Sequence, residues 1–458
     1  MEMTPTRAHA VAFSGGGAGE HPCTWGQLDM WREMEWARDP AHGNVVGGGF
    51  LPPGHTVDRV VRVLGDMVGR YEALRTGFVP AADGRPVQRI LDAGVLEVEV
   101  RELDGDPLRT TMRWVAESEA EPHDLAGGVP LRPRVGTVDG EPRLIIMGMP
   151  HVTADYLGSR VLFDEIGRAL DGRAPAAPRG LQPAEKAAAE RADGGRAVLR
   201  RSLEHWRRSV DATPAACFAG ERRPAESPRY WTGVLTSPSA PGALRVLADR
   251  HRVGTTHVLL AALGTLIGRY TGRRSCLARM VVANRARPEL RNAVGTFSQE
   301  AAAVVDLAAG TFDAMVRGAR VSALHAMRHG QYDPDAKAEI VAAAGAELDV
   351  YFNDMWTATR DGRGVPVPAD AVESGRSTRT RFTWGTRLDR AGVRFFFEAT
   401  EVVADPGAID LTLLADTAYV PPADLRTFLF GLEELLTVLA ADDGGRLDDV
   451  KLVNDPGA

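Results

Sequence analysis

The feature that most constrains this chain is a break. Residues 171–184, DGRAPAAPRGLQPA, gather proline, glycine and alanine with no apolar periodicity, the pattern of a linker or crossing. The same plan is legible on both sides of it: long amphipathic helices and short buried strands. Before the break, Val57, Val60, Val61, Leu64, Met67 and Val68 form a stripe at spacings of three and four, which predicts a helix over 57–71. Segments 86–90 and 96–102 carry alternating or β-branched residues and read as strands, and 106–119 reads as a helix. LIIMGM at 144–149 is a continuous apolar run of the kind found in strands covered on both faces. A helix resumes over 157–170. After the break, helices are expected over 185–210, interrupted near Gly194 and Gly195, over 256–270 and over 424–440, with strands at 278–284, 300–306, 348–353 and 393–403. Residues 1–50 read as loop around one helix, 24–36, for which Thr24 is a suitable N-cap. The expectation is a mixed α/β protein in two lobes, 1–178 and 179–458, with no tandem repeat.

Composition narrows the function classes. A chain of 458 residues is long enough for two cores, and 44% hydrophobic with 25% charged residues excludes wholesale disorder. A formal charge of −7 without a basic block argues against nucleic acid, whose binders neutralise phosphates. No apolar run approaches the roughly 18 residues that cross a bilayer, and the N-terminal MEMTPTRAHAVAFSGGG lacks a signal-peptide pattern. Cys23, Cys217 and Cys276 are too few and too scattered for a disulfide framework or a metal site. A cytoplasmic monomer with no bound metal, no membrane and no nucleic-acid partner is expected. Arginine vastly outnumbers lysine, which occurs only at Lys186, Lys337 and Lys451; with so much Ala, Gly and Pro, this reads as GC-rich codon usage.

One segment looks chemical: MGMPHVTADYL, 147–157. His151 stands where a hydrophobic strand emerges, Asp155 follows four residues later, and a helix then begins. Strand ends of α/β sheets are where ligand crevices open. An imidazole with an ordinary pKa near 6.5 suits proton transfer to or from a nucleophile. A hydrogen-bonded core histidine explains the same residue, and spacing alone leaves both readings open. Other patterns carry less. Ser14–Gly19, SGGGAG, lacks the ending of a phosphate-binding loop and reads as flexible. Trp25, Trp31 and Trp36 read as core. His325 and His329 have helical metal-pair spacing without a third ligand and read as a solvated face. The arginine pairs at 207–208, 222–223 and 273–274 read as solvated charge, with docking of an acidic partner as the alternative.

Taken together, several phrases resemble the condensation domains of nonribosomal peptide synthetases. That family's signature is two histidines, three variable residues, then Asp and Gly; here Pro150, His151, Val152, Thr153, Ala154, Asp155 and Tyr156 stand in that order. TWGQ at 24–27, ALRT at 73–76, ANRARPELRNAVGTF at 283–297 and FND at 352–354 are similar to the family's other landmarks, in its order, over almost the whole chain. The resemblance implies two chloramphenicol-acetyltransferase-like lobes meeting in a V with a tunnel between them. It implies a reaction joining an acyl thioester, on the phosphopantetheine of an acyl or peptidyl carrier protein or on coenzyme A, to a small amine or alcohol. It gives His151 the role of base or positioner and makes Asp155 a structural residue paired with Arg285. It places Pro150, Tyr156, Gly158, Gln299 and Asn353 along the substrate path.

The chain departs from the family at three of these positions. Pro150 replaces the first histidine, Tyr156 replaces glycine, and Gln299 stands where asparagine is common. The length of one condensation unit suggests a freestanding enzyme of specialised metabolism. The departures keep open a catalytically silent module that recruits partners, or altered chemistry such as cyclisation, dehydration or epimerisation.

Overall fold

The computed structural model describes residues 7–441 apart from 40, 83, 104, 176–179, 221, 360–377 and 403–404. The chain resolves into two compact units that exchange segments. The first comprises Met1–Arg200, Ala283–Gln299 and Gln331–Pro334; the second comprises Arg201–Val282, Glu300–Gly330 and Asp335–Ala458. The expected cut at 178/179 lies outside the described residues. Contacts carry the first unit past it because helix Pro183–Arg191 is tied back to the N-terminal region. Glu190 Oε2 accepts from Trp25 N at 2.9 Å, and Arg191 donates to the Cys23 carbonyl at 3.0 Å. Lys186 reaches both Glu190 and Gln331, so part of the later chain joins the same unit.

Among the described residues, the first unit is built on a sheet ordered Arg7–Ser14, Ala93–Glu102, Arg132–Val138, Glu141–Pro150, Asn44–Phe50. Ala93–Glu102 and Arg132–Val138 run parallel; the other neighbours are antiparallel. Helices Val57–Arg70 and Tyr156–Leu170 cover one face, burying Val60, Leu64, Val68, Leu162 and Ile166 against Val98, Ile145 and Met147. Helix Pro107–Glu119 covers the other, with Trp114 on Leu144 and Ile146. Both faces are therefore dry, which is why 144–149 reads as unbroken apolar sequence rather than an alternation. A small antiparallel sheet joins Gly19–Pro22, Pro86–Ile90 and Thr76–Pro80.

The second unit carries a sheet ordered Gln299–Asp306, Ser275–Val282, Val350–Asp354, Phe395–Glu401, Ile409–Asp416, Tyr230–Ser237, Arg381–Leu388. Its centre is parallel and its later pairs antiparallel. Helices Ala240–His251, Thr255–Thr271, Phe312–Arg328 and Pro422–Ala441 pack on it through Leu259, Leu263, Phe395, Phe397, Phe428 and Leu432. Among the described residues no helix is long and apolar enough to cross a membrane.

Four expectations are corrected. Residues 1–50 are not mostly loop: Arg7–Ser14, Gly19–Pro22 and Asn44–Phe50 are strands. The Ser14–Gly19 segment follows a strand and is pinned, with Gly15 N donating to Asp92 O at 2.8 Å and Arg75 donating to the Gly16 carbonyl. Of the three tryptophans, Trp25 is core and Trp31 is half-buried, but Trp36 is 41% exposed, because the last turn of helix Trp25–Ala37 runs clear of the core. His325 is exposed as expected, whereas His329 is half-buried and stacks on His205.

Candidate active site

The site lies where strand Glu141–Pro150 gives way to helix Tyr156–Leu170. Pro150 is the last strand residue, opposite Asn44, and it is buried. Its carbonyl accepts from Thr153 N at 2.9 Å, which turns the chain through His151 and Val152. Asp155 is the N-cap of the helix, its Oδ1 accepting from Gly158 N at 2.8 Å. Capping supplies a partner for an amide that a helix start otherwise leaves unpaired.

Asp155 does more than cap. It is 3% exposed. Its Oδ1 also meets Arg285 Nη2 at 2.7 Å, and its Oδ2 accepts from Phe297 N at 2.9 Å and Ser298 N at 3.1 Å. Arg285, also buried, donates from Nη1 to the Leu290 and Ala293 carbonyls at 3.0 and 2.7 Å and from Nη2 to Gly295 O at 3.0 Å. Its guanidinium lies 4.9 Å from the Phe297 ring centroid. A buried carboxylate is tolerable only when its lone pairs are filled and its charge is balanced, and here both conditions hold. The pair clamps 155–158 to 285–298, two segments far apart in sequence. Gly158 is buried at the point of closest approach: a Cβ there would meet Gly295 O at 2.9 Å and Arg285 Nη2 at 3.1 Å.

His151 sits above this clamp on the turn and is partly exposed. Its backbone carbonyl accepts from Thr296 Oγ1. Its ring Nδ1 is buried without a hydrogen-bond partner among the described residues, so none of their carboxylates orients the imidazole from behind as in a Ser-His-Asp triad. The residue is thus held through its backbone, with the inner nitrogen of its ring shut away from solvent. The clamp extends to the TWGQ phrase, since Thr24 Oγ1 donates to Thr296 O at 3.2 Å while Thr24 and Gln27 form a reciprocal capping box. Nearby, burial pushes the Cys23 thiol up to about 12 against the opposing pull of Arg191, which removes it as a nucleophile near neutrality. Burial, seconded by Arg132, pushes His123 down to about 4, so that imidazole stays neutral.

Of the residues expected on the substrate path, Tyr156 is the first residue of the helix and partly exposed, its carbonyl accepting from Ser159 Oγ at 2.8 Å. Gln299 is 5% exposed and bridges both backbone groups of Tyr332, at 2.9 and 3.4 Å. Its amide therefore fastens 331–334 into the first unit. Asn353 belongs to the second unit, where its Nδ2 donates to Glu398 Oε1 at 2.8 Å; burial pushes the Glu398 carboxyl up. Thr296 and Phe297 were missed as site residues. The GTF of 295–297 was legible as a motif, but nothing local tells that one residue holds the His151 carbonyl and the next supplies an amide to Asp155.

Residues 19–337 match the family model described as Condensation domain. The phosphinothricin tripeptide synthetase PhsC of Streptomyces viridochromogenes is 27% identical over 394 residues, covering 77% of this chain and 36% of that protein. The chain thus spans about a third of that synthetase. The solved condensation domain of chain release from the enacyloxin polyketide synthase matches with a TM-score of 0.71 at 20% identity, over 93% of this chain and 84% of that one. The X-domain solved in complex with OxyB from teicoplanin biosynthesis matches with a TM-score of 0.66 at 20% identity, over 96% and 97%. These structural likenesses establish the α/β fold with two chloramphenicol-acetyltransferase-like lobes. With most of its length matched by the family model, the chain belongs to the condensation-domain family.

Proposed function

We propose that this protein is a condensation enzyme that joins an acyl thioester to an amine or alcohol, with His151 as its catalytic residue. The acyl group arrives on the phosphopantetheine of an acyl or peptidyl carrier protein or on coenzyme A, so the group is substrate rather than a resident cofactor. The observation that carries the reading is the placement of His151: fixed through its backbone on the turn after a buried strand, and partly exposed there. In the reaction the nucleophile's nitrogen or oxygen attacks the thioester carbonyl. Its proton passes to the imidazole as the new bond forms, the C–S bond breaks, and the proton goes on to the departing thiolate. Asp155 and Arg285 act by holding the turn, and Thr296 by holding the His151 carbonyl.

The test is mass spectrometry of acyl transfer from a loaded carrier protein, comparing the unaltered protein with His151→Ala. Loss of a general base or positioning group lowers the rate by about 10²–10⁴-fold. Near-normal turnover in the variant overturns the assignment. A second reading, a silent module that recruits partners to a carrier-bound intermediate, is favoured by Pro150 and Tyr156 in place of the family's His and Gly. It predicts carrier binding without product in either protein.

A further inference from the structure

The second unit holds a groove that the proposed reaction does not use. It is lined from helix Asp193–Asp211, strand Gln299–Asp306 and helix Phe312–Arg328 and has a volume of about 760 Å³. Arg208, Arg317, Arg328, His205, His325 and His329 line it, and no lining residue is acidic. In a chain of net charge −7, a groove free of carboxylates is a local departure from the average. Arg208 approaches Glu204 at 3.7 Å and Arg317 approaches Asp313 at 4.0 Å, both exposed pairs of the kind worth little. Arg328 has no ion pair among the described residues.

The walls are ordered against one another. The His205 ring stacks on His329 with centroids 4.6 Å apart and planes inclined by 19°, and it meets His325 edge-on at 6.5 Å. His205 Nε2 donates to Ala302 O and His329 Nδ1 donates to His325 O, each at 2.8 Å, which leaves one nitrogen of each ring for another partner. Ser322, 8% exposed, lines the same groove with its Oγ buried and without a hydrogen-bond partner. Among the described residues no group of three His, Cys, Asp or Glu side chains could hold a metal ion, so these imidazoles are not a shared metal site. Guanidinium forks, stacked imidazoles and an orphaned hydroxyl form a donor set for a multiply charged oxyanion. They exceed what the two oxygens of one carboxylate accept. Ala212, Val304 and Val321 add apolar wall, and the volume is that of a small-molecule site.

We propose that this groove binds a phosphoryl oxyanion, inorganic or carried by an organic ester. The site is independent of the reading of His151. Burial holds the His205 ring below its ordinary pKa, seconded by the positive charge of His329, His325 and Arg208 and opposed by the Ala302 carbonyl. A bound anion reverses that balance, so binding takes up protons and tightens as pH falls.

Isothermal titration with pyrophosphate, coenzyme A and malonate tests the proposal on the whole chain, alongside Arg317→Gln, Arg328→Gln and His151→Ala. Pyrophosphate is expected to bind at about 1 mM or tighter near pH 6 and roughly tenfold more weakly near pH 8. Each arginine variant is expected to lose about tenfold, whereas His151→Ala binds as the unaltered protein does. Coenzyme A tighter than pyrophosphate, with that binding weakened in both arginine variants and kept in His151→Ala, assigns an organic phosphate; equal affinities with the same pattern assign the phosphoryl group alone. No binding of pyrophosphate near pH 6, undiminished binding in both arginine variants, or malonate binding as tightly as pyrophosphate overturns it.

Discussion

In each unit a strand leads to a helix whose first turn is capped by an aspartate, Asp155 five residues beyond strand Glu141–Pro150 and Asp354 at the end of strand Val350–Asp354, and the two junctions are built differently. In the first, Asp155 accepts from Gly158 N, from two further backbone amides and from the Arg285 guanidinium. In the second, strand Val350–Asp354 runs into helix Met355–Thr359. There Asp354 accepts from Thr357 N at 2.9 Å, Thr357 Oγ1 at 2.6 Å and Thr256 Oγ1 at 2.5 Å. The local geometry matches, since both carboxylates cap the amide three residues on. The long-range partner does not: one junction is locked by a charge, the other by neutral hydroxyls. The locked junction carries His151. The role proposed for His151 requires a turn whose supporting shell is fixed from outside, and Arg285 supplies that fixation.

The largest expected effect isolates that charge. Asparagine caps a helix about as well as aspartate, so Asp155→Asn and Asp354→Asn differ mainly in what they strand. Asp155→Asn leaves Arg285 buried without a counter-charge, a loss of about 3–5 kcal/mol, while Asp354→Asn is expected to cost about 1 kcal/mol or less. Urea denaturation measures both, and equal losses would break the comparison. Asp155→Asn should also lower the melting temperature more than His151→Ala, whose imidazole has no partner to strand.

Next in size is Arg285→Lys. The ammonium keeps the charge beside Asp155 but cannot also span the Leu290, Ala293 and Gly295 carbonyls that the guanidinium holds. Leaving buried carbonyls unpaired costs about 2–3 kcal/mol. If lysine restores full stability, the clamp is charge alone and its fork geometry is irrelevant.

Protonation separates the two junctions further. Burial pushes the Asp354 carboxyl above its ordinary range, with Thr256, Thr357 and, least, the charge of His257 pulling it back. The folded state then holds this proton to higher pH than the unfolded chain, whose value is about 3.9. The group's contribution to stability therefore falls as pH rises through that window. Asp354→Asn removes this dependence, so its deficit against the unaltered protein should shrink from about pH 4 toward neutrality. A deficit that grows instead would show that charge outweighs burial at this junction too.

Sequence patterns reveal these junctions unevenly, for reasons of range. Helices Val57–Arg70 and Pro422–Ala441 declare themselves because a long one-sided apolar stripe repeats many times. Strand Glu141–Pro150 does so because both its faces are covered. Strand Asn44–Phe50 does not, since its glycines look like loop. They are there because the backbone passes close: a Cβ on Gly48 would lie 2.2 Å from Ile145 O, and one on Gly47 would strike the Phe163 ring. Strand Arg381–Leu388 is hidden for the opposite reason, being mostly exposed at a sheet edge with no buried alternation to follow. At the site, His151 and Asp155 were legible from their place after an apolar run, and Arg285 only through the family resemblance. The Thr296 and Phe297 contacts cross more than a hundred residues and leave no local pattern.

The smallest effect concerns the residue after each aspartate, Tyr156 in the first junction and Met355 in the second. Tyr156 begins its helix beside the clamp and is partly exposed, in a position where the family carries glycine. A ring there acts by shape or by its hydroxyl, and two substitutions separate the two. If shape dominates, Tyr156→Gly widens the range of nucleophiles accepted, while Tyr156→Phe leaves turnover nearly unchanged. If the hydroxyl orients substrate, Tyr156→Phe loses a hydrogen bond worth about 0.5–1.5 kcal/mol, roughly a threefold to tenfold fall in rate. We expect shape to dominate, because the neighbouring Asp155–Arg285 clamp already fixes the turn. Steady-state kinetics with one acyl donor and a panel of amines and alcohols reads both variants. A Phe variant slower than the Gly variant on every nucleophile would assign the hydroxyl a direct part in orienting substrate and sink the steric account.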